Sequence, residues 1–294
     1  MFHFGLISFA ASMLAILIAL ILTVFQLFKH QTALTKPITT LASLSFGLHT
    51  LSLLTLMAMQ VLQDYSNSYV VSVVNSAMPT ILKMTAVWGG QAGSLFFWGW
   101  TLNLVLFISL HVRRQIQDSW SFLFTALNLL FFGALSLFAE NPFSRVWMTE
   151  SGDILEGVFS PAAGATVYSG ISGFGLNPLL RHWGMVIHPP ILYLGFALFL
   201  IPFCVAISHL IRGESDEGLL GETRLWLLSG WILLTAGIAL GSWWSYDVLG
   251  WGGYWAWDPV ETASLLPWLT STGLLHSLLL QKQRKIFKRF NFVL

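Results

Sequence analysis

The chain has 294 residues, 55% of them hydrophobic and only 9% charged, with a mean hydropathy of +0.72. Soluble domains carry about 25% charged residues. So few ionic groups cannot cover a water-exposed surface, which excludes a soluble enzyme, a nucleic-acid binder and a disordered tail, and predicts an all-α polytopic membrane protein.

Seven apolar runs reach the roughly 17–25 residues that cross a bilayer. They fall at 4–28, 38–63, 94–112, 119–139, 188–211, 225–244 and 259–281. The first has no basic segment before it, and Lys29 follows it, so it reads as a span and not a cleavable leader. With no linker or internal repeat, residues 1–294 read as a single transmembrane domain. Three connections are long, at about 64–93, 140–187 and 245–258.

Placement of Lys and Arg sets the orientation. Lys29, Lys36, Arg113, Arg114, Arg212, Arg224, Lys282, Arg284, Lys285, Lys288 and Arg289 share one side, eleven of the fourteen basic residues. Five of the thirteen acidic residues join them, for a net +6. Lys83, Arg145 and Arg181 face eight acids on the other side, for a net −5. The expectation is an outer amino terminus, a cytoplasmic (or matrix) carboxyl terminus and function on the long outer loops. The apolar residues 290–294 read as the first turn of an eighth helix.

Within the second run, His49 has no motif around it and ranks behind His276 as a ligand. His188 precedes Pro189-Pro190. A residue before proline is held extended and prolines favour a first helical turn, so the fifth helix is expected to begin at this pair, with the His188 ring free at its mouth. Cys204, the single cysteine, excludes an intramolecular disulfide or a thiolate cage.

Between the sixth and seventh runs the chain is crowded with tryptophan: six of fourteen lie from Trp243 to Trp268. An interfacial aromatic belt accounts for Trp243, Trp244 and Trp268. It does not account for Trp251, Gly252, Gly253, Tyr254, Trp255 and Trp257, because a belt has no need of paired glycines. Glycine lets the backbone turn or approach a flat object closely, and indoles offer a stacking surface. Asp258, Pro259 and Glu261 fit the N-cap, first residue and returning N3 group of a capping box. In the seventh run His276 lies six residues before Lys282, about 9 Å from the boundary. An imidazole in lipid must be hydrogen-bonded or metal-bound. Histidine beside planar platforms points to haem, whose iron takes axial imidazole; quinone or another flat ligand stays open.

The segment Trp251-Gly252-Gly253-Tyr254-Trp255-Ala256-Trp257-Asp258-Pro259-Val260-Glu261 resembles the tryptophan-rich "WWD" signature of haem-handling proteins of cytochrome c maturation. Val87-Trp88-Gly89-Gly90-Gln91-Ala92-Gly93-Ser94-Leu95 is similar to a motif of one branch, the CcmF/NrfE haem lyase subunits. So are Leu176-Asn177-Pro178-Leu179-Leu180, His188-Pro189-Pro190-Ile191-Leu192-Tyr193, and the His276 helix leading into Gln281-Lys282-Gln283-Arg284. The resemblance covers nearly the whole chain but only the amino-terminal part of the family's usual length. It implies that haem b is held at the WWD loop (Trp251, Gly252, Gly253, Tyr254, Trp255, Trp257, Asp258, Glu261), with His188 as one iron ligand. It implies a second, resident haem b at His276. It also implies thioether attachment to the Cys-x-x-Cys-His of apocytochrome c, with a membrane-anchored haem chaperone and thiol-reducing maturation subunits as partners. Gln91-Ala92 stands where relatives usually have His-Glu, and receives no role. The second histidine of each pair would fall beyond Leu294, so the expectation is a split lyase completed by a carboxy-terminal partner half, a truncated product, or a form with altered ligation.

Two other readings stand beside a lyase subunit. One is a haem transfer protein that loads the chaperone, favoured by the short chain. The other is a non-haem respiratory or transport subunit, disfavoured because the runs lack the multiple acidic residues of a proton path, Glu261 at the start of the seventh being their single Asp or Glu. A bacterial plasma membrane with periplasmic loops, or a mitochondrial inner membrane, both satisfy the charge asymmetry.

Overall fold

The computed structural model describes residues 1–29, 34–113, 118–168, 170, 172–213, 217–249, 253–284, 287 and 291. In chain order the helices are α1 (Phe2–Lys29), α2 (Thr35–Val61), α3 (Ser68–Val73), α4 (Thr80–Thr85), α5 (Gln91–Ile108), α6 (Ser119–Ala134), α7 (Trp183–Arg212), α8 (Glu217–Leu249) and α9 (Pro259–Arg284). Seven of these, all but the short α3 and α4, are long and apolar enough to cross a membrane, one for each expected run. Residues 109–113 and 135–139 extend α5 and α6 as wider turns, in which Glu140 N donates to Leu135 O (3.0 Å). The chain divides into two compact units.

The first unit comprises Met1–Ala19, Thr40–Asn103 and Asn128–Val186. Phe9, Phe96 and Phe143, all fully buried, form its centre, with edge-to-face contacts at 4.8 and 5.8 Å. A hydroxyl–amide network joins three helices: Ser12 Oγ of α1 and Ser45 Oγ of α2 lie 2.9 Å apart, and Asn103 Nδ2 of α5 donates to Ser45 Oγ (3.0 Å). Such bonds are valuable where no water competes for the groups.

The connections at 64–93 and 140–187 hold more structure than expected. Asn67 caps α3, its Oδ1 accepting from Val70 N (2.9 Å), while its Nδ2 donates to Pro142 O (3.0 Å). A three-stranded antiparallel sheet follows: β1 (Arg145–Met148), β2 (Ile154–Gly157) and β3 (Thr166–Val167), in the order β2-β1-β3. Trp147 pairs with Leu155 and Val167, and its Nε1 donates to Gly157 O (2.9 Å).

Tyr69 explains the second glycine of the Trp88-Gly89-Gly90 turn. Its hydroxyl lies 2.7 Å from Val87 O and 2.9 Å from Ala86 O, sharing its proton between them, and accepts from Gly90 N (3.1 Å). A Cβ at Gly90 would stand 3.1 Å from the Tyr69 ring. Trp88 Nε1 donates to Met185 O (2.7 Å).

That last bond bears on a correction. The fifth membrane helix does not begin at Pro189-Pro190. It begins at Trp183, and His188 is helical within it. Prolines are excluded from helix interiors partly because they orphan the carbonyl four residues back. Here that carbonyl, Met185 O, is taken by the Trp88 indole, and so the helix runs through. Likewise residues 245–249, expected in a loop, complete α8.

The second unit comprises Leu20–Thr39, Leu104–Leu127 and Ile187–Leu294. Asp118 caps α6: its Oδ1 accepts from Trp120 N (3.0 Å), Ser121 N (3.0 Å) and Ser208 Oγ of α7 (2.6 Å). Two reciprocal clasps close the α8–α9 hairpin. Trp231 Nε1 donates to Thr272 Oγ1 (2.8 Å), and Trp268 Nε1 donates to Thr235 Oγ1 (2.7 Å). The two indoles stack at 6.3 Å and 17°.

Candidate functional site

The α7–α8 crossing is a ladder of close approaches. An added Cβ at Gly230 would meet Phe199 (3.2 Å), at Gly195 the backbone of Leu234 (2.8 Å), at Gly237 the Leu192 side chain (3.0 Å), and at Gly241 the His188 ring (2.6 Å). In every pair the two residue numbers have the same total, the mark of one antiparallel register. Small residues let helix backbones approach, and here three glycines of α8 recess the side chains of α7. The last recess receives His188.

His188 Nδ1 lies 2.8 Å from Gly237 O. A carbonyl only accepts, so Nδ1 carries the proton and the neutral ring keeps its lone pair on Nε2. A backbone carbonyl that fixes the tautomer in this way is the usual support of a metal-ligating histidine. The Trp244 ring lies 5.8 Å away at 59°. Trp244, Gly237 and Gly241 were not expected at this site; the signal available was the glycine spacing 230, 237, 241 on one helix face.

Beyond α8 the chain turns back into α9. Tyr246 and Tyr254 stack at 4.4 Å with only 6° between planes. Gly253 has φ +69°, the left-handed region that glycine enters freely, and its carbonyl accepts from Ser245 Oγ (3.3 Å). The capping box forms as expected: Glu261 N donates to Asp258 Oδ1 (2.7 Å), and Asp258 N donates to Glu261 Oε2 (3.3 Å). The same Oε2 also accepts from Ala256 N (2.8 Å). Glu261 thus clamps the amides on both sides of Trp257. Trp257 itself has φ +59°, a conformation costing a bulky residue about 1–2 kcal/mol. The clamp holds this strained residue with its indole 71% exposed, edge-on to Trp255 at 5.8 Å and 83°. Tyr254 is 59% exposed.

Two further groups lack partners. Trp244 Nε1 and Trp255 Nε1 are buried with no hydrogen-bond acceptor among the described residues. Indole N–H only donates, so both remain available to an acceptor on a ligand. Exposed aromatic faces, two donors and an imidazole lone pair fit a planar, iron-bearing ligand with carboxylate or carbonyl edges. Trp251 and Gly252, also expected here, lie outside the described residues.

His276 stands on an exposed face of α9. Its Nδ1 lies 2.8 Å from Thr272 O, which again leaves the lone pair on Nε2. Thr272 is also the acceptor of the Trp231 clasp. Among the described residues no group of three or more His, Cys, Asp and Glu could hold a metal ion.

Comparison with known proteins follows the same line. The family model described as "Cytochrome C assembly protein" matches residues 88–293. The chain is 42% identical over 238 residues to the "Probable cytochrome c-type biogenesis protein NrfE" of Escherichia coli (strain K12), covering 79% of this chain and 39% of that protein. It is 32% identical over 287 residues to the "Cytochrome c-type biogenesis protein CcmF" of Haemophilus influenzae, covering 96% and 41%. A solved structure, "Cytochrome c Heme Lyase CcmF", superposes with a TM-score of 0.80 at 26% identity, covering 99% of this chain and 44% of that one. The chain therefore spans about two fifths of the length of these relatives. Seven membrane-length helices in the fold of a CcmF structure make it an integral membrane protein. The Trp88 turn, the His188 ladder and the clamped tryptophan loop all lie inside the matched region, and the chain belongs to the cytochrome c assembly protein family, in the branch represented by CcmF and NrfE.

Proposed function

We propose that this chain binds haem b on the loop between α8 and α9 and presents it for covalent attachment to apocytochrome c. The observation that carries the reading is His188, with a carbonyl-fixed tautomer and an Nε2 lone pair beside Trp244. Trp251, Gly252, Gly253, Tyr254, Trp255 and Trp257 supply the platform, and Asp258 and Glu261 hold its shape. In the attachment reaction each thiol of Cys-x-x-Cys-His adds across a haem vinyl group: sulfur bonds one carbon, the thiol proton goes to the other, and the double bond is consumed. The thiols belong to the substrate, since Cys204 is buried in α7. The protein contributes chiefly by holding vinyl and thiol together, which is a proximity effect. His276 supplies a second lone pair, suited to a resident haem b. The charge asymmetry supports an outer, electronegative position for the loop, periplasmic in a bacterium, and on this reading a membrane-anchored haem chaperone, apocytochrome c and thiol-reducing subunits meet it there.

The test is His188→Ala, assayed as haem co-purifying with the full chain (Soret absorbance and pyridine haemochrome). The variant should lose the outer-loop haem; full retention would remove His188 as the ligand. Cross-linking separates lyase from carrier: a lyase traps apocytochrome c, whereas a carrier traps only the chaperone.

A further inference from the structure

His49 lies outside the site above, and nothing in that chemistry uses it. Its side chain is 0% exposed, and neither ring nitrogen has a hydrogen-bond partner. The Phe96 backbone faces the ring, but outside hydrogen-bonding geometry. Asn103 is also 0% exposed: its Nδ2 is engaged by Ser45, while its Oδ1 has no partner. Flipping that amide would only exchange which atom is orphaned. Buried polar groups are nearly always satisfied, and leaving one unsatisfied costs about 1–3 kcal/mol. Two such orphans in one helix interface call for a shared explanation.

The register of α2 and α5 supplies it. Ser45 and His49 are one turn apart on α2; Gly99 and Asn103 are one turn apart on α5. Ser45 touches Asn103 through a hydrogen bond, and Gly99 faces His49, its absent Cβ standing 3.4 Å from Cε1. The unpartnered atoms therefore belong to residues one helical turn apart along the same seam, about 6 Å in rise. Two hydrogen bonds in line through one oxygen bridge about 5–6 Å. The rings of Phe9 (5.0 Å, 41°) and Phe96 (4.8 Å, 54°) pack against the fully buried imidazole, which leaves no approach for a large planar ligand.

We propose that His49 and Asn103 bind one internal water molecule between α2 and α5. The water donates to Asn103 Oδ1 and closes on a His49 ring nitrogen, completing the Ser12–Ser45–Asn103 network into a chain that ends on an imidazole. Gln60, one seam further along α2, is likewise unpartnered and fully buried. Leu56, also fully buried, stands between them on the same face, so the water is an isolated station and not part of a continuous file.

The test is water-edited solid-state NMR of the full chain, labelled with 15N-histidine, in lipid bilayers. The His49 signal is assigned in the native protein, from backbone correlations of a uniformly 13C- and 15N-labelled sample. Transfer from water to the His49 ring nitrogens, reduced in Asn103→Leu, is expected; a silent His49 in the native protein would overturn the proposal. A second measurement compares unfolding of His49→Leu, Asn103→Leu and the double variant. Shared water makes the double variant lose less than the two single losses combined, and strictly additive losses would count against it. The NMR arm on the native sequence stands even where a variant does not fold.

Discussion

Gly241→Ala isolates the part of the proposed haem binding that depends on where α8 puts the His188 ring. The new Cβ would stand 2.6 Å from His188 Cε1, whereas ordinary contact begins at 3.4 Å, so the ring must withdraw by about 0.8 Å. The Nδ1 to Gly237 O distance, now 2.8 Å, would then lengthen by up to that amount, to at most about 3.6 Å, where a hydrogen bond is lost. Losing that bond costs about 0.5–1.5 kcal/mol, which is about 2- to 13-fold in affinity if it all falls on the ligated state. Haemin titration of the purified protein in nanodiscs, followed by Soret absorbance, measures this directly. Gly230→Ala is the control: it presses on Phe199 at 3.2 Å in the same ladder but far along the helix from the imidazole. The reasoning fails if Gly241→Ala binds haemin with native affinity, or if Gly230→Ala weakens it equally.

Two further outcomes are expected. Trp231→Phe and Thr272→Val should couple by about 0.6–1.7 kcal/mol in a double-mutant cycle, the range for interhelical hydrogen bonds in membranes; in detergent unfolding followed by far-UV circular dichroism, additivity within about 0.3–0.5 kcal/mol would dissolve the clasp. Tyr69→Phe should cost about 1–3 kcal/mol in the same assay, because it removes the partner of Gly90 N–H and a donor to Val87 O in a part-buried turn, while Ala86 O keeps its bond from Gly89 N; a loss under about 0.5 kcal/mol would mean the turn holds itself.

What could be read from the sequence was whatever is written locally. Length and hydropathy disclosed the seven long helices, and the Asp258–Glu261 spacing disclosed its capping box, because each signal sits within the residues that make the structure. The start of α7 was misread for the opposite reason. Proline chemistry at 189 and 190 argues for a boundary, and the rebuttal comes from Trp88, ninety-seven residues before Met185. The sheet and the two short helices gave no periodic signal, being only two to six residues each. His188 was visible as a candidate, but its tautomer depends on Gly237 and its seat on Gly241, both partners on another helix. Trp257 drew attention as an aromatic; its left-handed backbone follows from a second use of Glu261 that no capping pattern announces.

The ladder that seats His188 also limits how α7 and α8 can move. Each α7 side chain occupies a recess bounded by the next turn of α8, so sliding by a fraction of a turn drives side chains into ridges. Displacement is quantised at about one turn, near 5.4 Å. A ligand held by this imidazole would feel either full registry or a jump to the adjacent notch, so any change in its seat would be all-or-none rather than a gradual slackening.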